Sequence, residues 1–378
     1  MKILFLQNKG KSYGGIWQVN KMVGEALIRD GYEVTVLSIR ENHTGYNPKY
    51  DKRMHVETLN PIDEWETFNY SEIIKDLKHF HCGNSFHKLI SRIHHNKTMK
   101  KDTKKLKEYL DNFKPDYIIS SQYQLLPMIP KEYLPCTYHE QHQSFYESMS
   151  HLATKKTLLK YRDQIKFIWL SKKTMEEAIK MGFNNSTTIY NAVRFETPKK
   201  ALVLKNKKLV TITRISDEKR IDLMIDMVNS ILKKEKYSDW VFEIYGDGSS
   251  YDTIKKKVNA LGNSRIKLMG RTNNPKEVLL SSSINLNTSV YEGFSLSILE
   301  ANECGIPTVS FDFWESVREE IIDGKTGFLA HDKNEYIDKL EKLMSDNKLL
   351  SEMSKNVKKY NEKFHINSII KDWEKLFK

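Results

Sequence analysis

The sequence predicts an α/β protein built from two units, each with a parallel sheet wrapped by helices. Three observations carry this. The chain has 378 residues, and at roughly 150 residues per domain that is material for two cores. Short apolar runs alternate with helix-length patterns from end to end, which is how parallel sheets are connected. The alternation lapses once, at Phe195–Lys208, where FETPKKALVLKNKK holds Pro198 and five lysines, and then resumes.

The elements follow in order. Lys2–Gln7 (KILFLQ), Tyr32–Ile39 (YEVTVLSI), Pro115–Ser121 (PDYIISS), Cys136–Glu140 (CTYHE) and Lys166–Ser171 (KFIWLS) are largely apolar runs of strand length, the pattern of strands buried on both faces. After the linker a second series comprises Leu209–Ile215, Val241–Gly246, Ile266–Gly270, Ile284–Asn287 and Thr308–Phe311. The last segment places Ile366, Ile369, Ile370, Trp373, Leu376 and Phe377 at helical spacing on an otherwise charged helix, so this stripe must dock. Open parallel sheets bind ligands at the carboxyl ends of their strands, so a ligand is expected in a cleft between the units.

Composition narrows the class. Hydrophobic residues are 39% and charged residues 29%, the profile of a folded globular chain and not of a disordered or fibrous one. Lys+Arg 61 against Asp+Glu 49 gives +12, which favours an anionic partner without choosing among phosphate, nucleic acid and acidic membrane. Cys82, Cys136 and Cys304 are too few and too scattered for a disulfide scaffold or a zinc site. The apolar run Ile3–Leu6 is too short for a signal peptide, and no stretch approaches the ~18 apolar residues of a membrane span. A cytoplasmic protein is expected.

The most informative stretch is Tyr291–Val309, YEGFSLSILEANECGIPTV. Glu292 follows a strand and Gly293 permits a tight turn. A helix is predicted from about Ser295 to Cys304, ended by Gly305 and Pro307. The first N–H groups of such a helix and its positive dipole end suit an anion. Glu292 and Glu300, on either side of it, would be repelled by a phosphate unless they accept hydrogen bonds, so sugar hydroxyls are their natural partners. The plainer reading is two surface glutamates on a capped helix.

This segment resembles the E-x7-E signature of glycosyltransferase family four, whose members are retaining nucleotide-sugar transferases of the GT-B fold. That fold has two Rossmann-like domains facing a central cleft, with a C-terminal helix docking back on the N-terminal domain. The resemblance spans most of the chain and is dense from Leu209 to Ala330. It implies an N-terminal acceptor-binding domain at 1–197, joined by a C-terminal helix at about 361–378, and a nucleotide-sugar-binding domain at 198–360. It also implies that Glu300 holds the ribose hydroxyls, and that Glu292 with Gly293, Phe294, Ser295 and Leu296 holds the donor sugar and diphosphate. Asn302 and Glu303 stand where the family tends to use small or apolar residues, a difference expected to alter packing.

Arg214 and Lys219, in TRISDEK after the first strand of the second unit, offer a planar fork and a point charge for a leaving diphosphate. By resemblance they do so without a metal, and no D-x-D sequence is present to carry one. No cofactor is expected, a UDP-sugar being the substrate. Thr213 replaces the glycine often seen before that arginine. YGDGS at Tyr245–Ser249 and KLMGR at Lys267–Arg271 resemble the family's C-terminal domain, with Gly270 and Arg271 near the nucleobase. Gly14 and Gly15 in KSYGGI resemble the turn that lets the N-terminal domain approach the diphosphate. An ordinary βα turn would look the same.

His139, in TYHEQH, matches in position the family's active-site histidine beside the donor sugar. The alternative is a satisfied core residue. HEQH is not the H-E-x-x-H of a zinc enzyme, so no metal site is expected. Asn191 in YNAV resembles the family's asparagine at the domain junction, with Ala192 and Arg194 replacing its usual neighbours. The glycines required by phosphate-loop and dinucleotide fingerprints are missing at Phe5, Glu319 and Tyr251.

The resemblance implies a hexosyltransferase that moves a sugar, with retention, from a nucleotide diphosphate to a hydroxyl of a glycan, polyanionic glycopolymer or lipid-linked acceptor. Bacterial surface polysaccharide or teichoic acid assembly is the setting it suggests. No covalent nucleophile is evident, which fits internal return, and Glu292 is the second choice for a direct chemical role. Residues 86–114 hold nine basic and three acidic side chains, and 151–166 five basic and one acidic. Docking on an anionic membrane, which would make the protein peripheral, or on a polyanionic acceptor is one reading; a solvated helix face is the other. The rivals are a GT-B sugar-nucleotide epimerase and a basic nucleic-acid-binding α/β protein. The latter is weakened because aromatics do not interleave with the basic runs, so no nucleic acid is expected.

Overall fold

The computed structural model describes residues 1–10, 14–41, 49–60, 84–198 and 206–378, with side chains of the 84–113 helix from residue 97 onward. Cys82, the Lys11–Tyr13 part of KSYGGI and linker residues 199–205 lie outside the described residues.

The first unit runs β1 (Lys2–Lys9), α1 (Gly15–Arg29), β2 (Glu33–Arg40), β3 (His55–Asn60), α2 (Asn84–Phe113), β4 (Tyr117–Ser120), β5 (Thr137–Gln141), α3 (Phe145–Ser150), α4 (Leu152–Tyr161), β6 (Lys166–Trp169), α5 (Lys172–Lys180) and β7 (Ser186–Thr188). The second runs β8 (Lys208–Ile212), α6 (Ile221–Leu232), β9 (Val241–Tyr245), α7 (Tyr251–Leu261), β10 (Ile266–Gly270), α8 (Pro275–Leu280), β11 (Ile284–Asn287), α9 (Leu296–Glu303), β12 (Thr308–Phe311), α10 (Val317–Glu320), β13 (Gly327–Ala330), α11 (Lys333–Ser345) and α12 (Asn347–Asn361). The chain closes with α13 (Ile366–Leu376).

The sheets have orders β3-β2-β1-β4-β5-β6-β7 and β10-β9-β8-β11-β12-β13. Among the described residues every strand pair is parallel. Helices cover both faces, so the central strands are apolar throughout: Ile3, Leu4, Phe5 and Leu6 are all fully buried. In each sheet the winding reverses beside the first strand, between β1 and β4 and between β8 and β11. In open α/β sheets that reversal opens a crevice at the carboxyl ends. Loops after β8 and β11 are therefore neighbours in space although distant along the chain.

The stripe on α13 docks as expected. Ile369, Ile370, Trp373 and Phe377 join the core of the first unit with Ile3, Phe5, Trp17 and Val23. The rings of Phe5 and Trp373 meet with centroids 5.9 Å apart.

Ten strands stand close to where the sequence predicts them, and β3, β7 and β13 have no counterpart in that prediction. All three are at sheet edges, and β3 and β7 are only half-buried and carry polar residues. With one neighbour and one wet side, β3 and β7 lack the apolar signature of the central strands, whereas β13 is apolar and fully buried.

Candidate functional site

The loops after β8 and β11 meet as the topology requires. Lys219, buried after β8, donates from Nζ to Glu292 Oε1 at 2.5 Å, and the Ser289 hydroxyl donates to the same oxygen at 2.9 Å. Thr288 donates its hydroxyl to the Lys219 carbonyl at 2.7 Å, tying the two loops a second time. Arg214 is exposed, with Nη2 3.3 Å from Glu218 Oε1. The structure thus brings Lys219 and Glu292 together and leaves Arg214 at the rim.

Gly293 marks a close approach of the two units. A Cβ there would lie 2.0 Å from the His142 carbonyl oxygen, so only glycine fits. Phe294 is buried against Tyr190 and Phe364, with ring centroids 5.5 and 5.4 Å away. Leu296 opens α9 and packs against the first unit's core, and a Cβ on Gly15 would stand 3.4 Å from its Cδ1. Gly14 is the N-cap of α1. The glycine turn and the start of α9 therefore do face each other.

The expected role of the Ser295 amide needs correcting. It donates to Glu320 Oε1 at 2.9 Å and so is already occupied. Ser316 donates its hydroxyl to the same oxygen at 3.0 Å, while Oε2 of Glu320 is buried without a partner. Burial pushes the Glu320 carboxyl up to about 8; the Ser295 and Ser316 bonds oppose that shift, and the charges of Glu292 and Glu319 add to it. At the start of α9, the amides that remain for an anion belong to Leu296 and Ser297.

Glu300 is buried inside α9 and held by Arg194, whose Nε pairs with Oε1 and whose Nη2 lies 2.7 Å from Oε2. Gly270 stands at φ +74, and its carbonyl accepts from the Gly246 amide at 2.8 Å. Arg271 is exposed and bonds Asp247 Oδ2 at 3.0 Å. A Cβ on Gly246, at φ +144, would fall 1.8 Å from the Thr213 carbonyl oxygen. The loops after β8 and β9 therefore approach each other closely at Gly246.

His139 does not meet the expectation placed on it. It is buried in β5, with Nδ1 2.9 Å from the Ser120 carbonyl and Nε2 2.8 Å from Gln141 Oε1. Burial lowers its pKa to about 4, so it stays neutral. It is the satisfied core residue of the alternative reading. The histidine beside Gly293 is His142, whose ring lies 3.0 Å from Glu140 Oε2.

Three further acids, with no signal in the sequence, join the units or the site. Glu315 accepts from the Tyr146 amide at 3.2 Å, at the start of α3. Glu319 accepts from the amides of Lys172 and Lys173 at 3.2 and 3.0 Å, at the start of α5, and from the Tyr190 hydroxyl at 2.6 Å. Carboxylates at helix N-termini are held by free amides and dipole together. The third is Glu320. Nothing in local spacing marks these residues, because partners come from distant segments. Asn302 donates from Nδ2 to the Glu320 carbonyl at 3.1 Å, and Glu303 is buried and accepts from the Thr197 amide at 2.8 Å, Asn361 at 3.1 Å and His365 at 2.8 Å. Among the described residues, no group of three or more His, Cys, Asp or Glu is placed to hold a metal ion.

Two parallel-sheet units with a C-terminal helix docked on the first define the class: this is a GT-B fold. Residues 193–360 match the family model described as glycosyl transferases group 1, so the second unit carries a domain of that kind. A poly(ribitol-phosphate) alpha-N-acetylglucosaminyltransferase of Staphylococcus aureus is 34% identical over 198 residues, covering 51% of this chain and 39% of that protein. An uncharacterized glycosyltransferase of Haemophilus influenzae is 25% identical over 386 residues, covering 98% of each. The chain thus spans well under half of the first relative and nearly all of the second. A crystal structure of a variant of S. aureus TarM, in complex with fondaparinux, alpha-GlcNAc-glycerol and UDP, superposes with a TM-score of 0.77 at 19% identity and covers 100% of both chains.

Proposed function

We propose that the protein is a retaining, metal-independent glycosyltransferase that moves a sugar from a UDP-sugar to a hydroxyl of a polyanionic glycopolymer. The observation that carries this reading is the Lys219–Glu292 pair beside the start of α9, with Glu300 buried in the same helix. Departure of a nucleoside diphosphate builds negative charge on the diphosphate and positive charge on the sugar. Lys219, Arg214 and the amides of Leu296 and Ser297 supply the first with donors, while Glu292 accepts from sugar hydroxyls and Glu300 from the ribose. Charge-assisted hydrogen bonds contribute roughly 1.5 to 3 kcal/mol each, so a few lower the barrier substantially. Gly270 and Arg271 stand near the base. His142 and Gly14–Gly15 face the donor from the first unit.

The acceptor reading draws on two supports. The S. aureus relative acts, by its name, on poly(ribitol-phosphate), and the first unit is basic along residues 97–114 and 151–166. Helix α4 exposes Leu152, Ala153, Lys156 and Lys160, a surface suited to a polyanion or to a peripheral place on an anionic membrane from the cytoplasmic side. Among the described residues no helix is long and apolar enough to cross a membrane. The test is a panel of UDP- and GDP-sugars scored for slow hydrolysis alone and for transfer to poly(polyol-phosphate) chains. Turnover of GDP-sugars only, or of none, overturns the donor reading; an inverted anomeric product overturns retention.

A further inference from the structure

The segment between the two units lies along α9 and is fastened at three points, two on the helix and one on Phe294 just before it. Asn191 Nδ2 donates to the Phe294 carbonyl at 3.3 Å. Arg194 forks onto Glu300. The Thr197 amide and hydroxyl donate to the Glu303 carboxylate and carbonyl, each at 2.8 Å. The anchors recur at every third residue of the strap, and the middle one ends on the carboxylate read above as the ribose ligand.

A carboxylate has about four lone-pair sites on its two oxygens. The guanidinium takes one on each, because its planar fork matches the carboxylate in two parallel bonds. One further site remains on each oxygen, on opposite flanks of the carboxylate and turned away from the fork, and each can accept from a single hydroxyl. Glu300 is almost fully enclosed, with its side chain 2% exposed, whereas that of Arg194 is 31% exposed. A buried carboxylate needs a charged partner, and Arg194 supplies it from the linker.

We propose that Arg194 is a positioning residue of the donor site: its fork sets the plane of the Glu300 carboxylate so that a remaining oxygen site accepts from the 2′-hydroxyl of a ribonucleotide, and so ties nucleotide recognition to the strap between the units. This rests on the reading of Glu300 as the ribose ligand. Arg194 is not read as touching the reacting atoms.

The test compares binding of UDP and 2′-deoxy-UDP to the full chain, by calorimetry, for the wild type, Arg194→Met, Arg194→Lys and Glu300→Gln. The wild type binds UDP more tightly than the deoxy analogue. Arg194→Met narrows that ratio by about tenfold, the scale for a buried hydrogen-bonding group losing its orientation. Arg194→Lys, with charge but no fork, falls between, and in turnover the loss lies more in KM than in kcat. If Glu300→Gln narrows the ratio and both folded Arg194 variants keep it, the inference is overturned and the ribose reading stands. If Glu300→Gln keeps the wild-type ratio, the ribose reading fails and takes the inference with it.

Discussion

Lys219 and Glu292 are 73 residues apart in sequence and joined by one charge-assisted hydrogen bond at 2.5 Å. They meet because β8 and β11 are adjacent parallel strands, paired at Ile284 with Leu209 and Asn285 with Val210. Their loops leave the same edge of the sheet.

Lys219→Met removes a partly buried cation and leaves Glu292 with the Ser289 hydroxyl. Breaking such a pair costs about 3 kcal/mol, and loss of the diphosphate partner should lower kcat/KM about 100-fold or more. Steady-state turnover with the preferred UDP-sugar, beside a urea midpoint, separates the two. Unchanged turnover would remove Lys219 from the reaction.

Gly293→Ala should stop the two units from meeting. The added Cβ would lie 2.0 Å from the His142 carbonyl oxygen, a backbone atom that cannot rotate away. We expect turnover to fall more than about tenfold, as for a misplacement of about 1 Å near reacting groups. Small-angle scattering should show a more open average shape; an unchanged profile with full activity refutes this.

Glu320 should make stability depend on pH. The folded protein holds this proton up to about 8, whereas an unfolded glutamate releases it near about 4.3. Between those values the folded state binds more protons, so stability is greatest at the acid end and falls as pH rises, by on the order of 5 kcal/mol in all. Glu320→Gln should flatten that slope in urea titrations from pH 5 to 9. An equal slope in both proteins argues against the assignment.

His139 and His142 should behave differently. His139 keeps its neutral form down to about 4 while an unfolded histidine protonates near about 6.5, so its contribution to stability is lost as pH falls through that window. His139→Phe should cost stability near neutrality by about 1 to 3 kcal/mol, its buried partners being left unpaired. His142→Ala should chiefly lower turnover. Reversed outcomes would restore His139 to the donor site.

Glu303→Ala should weaken the junction. Thr197, Asn361 and His365 each lose an acceptor, and of these Asn361 is buried, where an unpaired donor costs about 1 to 3 kcal/mol. A thermal melt should fall or split into two transitions; a melt like the wild type's would show that Glu303 is dispensable.

Much of this architecture is written in local pattern. The run at residues 2–7 is mostly apolar because parallel strands are covered on both faces. Glu292, Gly293 and Glu300 could be singled out because a loop, a turn and a helix start are local events. The Trp373 stripe announced that α13 must dock, though not where.

Residue order alone dictates the periodicity of the elements, and with it the α/β class and the helix that begins after Phe294. It took the folded chain to give the Ser295 amide to Glu320, to set Arg194 on Glu300, and to bring His142 instead of His139 beside Gly293. In the first two cases the partners lie 25 and 106 residues apart. Backbone periodicity reflects forces between near neighbours, whereas the partner of a buried charge is set by which distant surfaces the fold brings within about 3 Å.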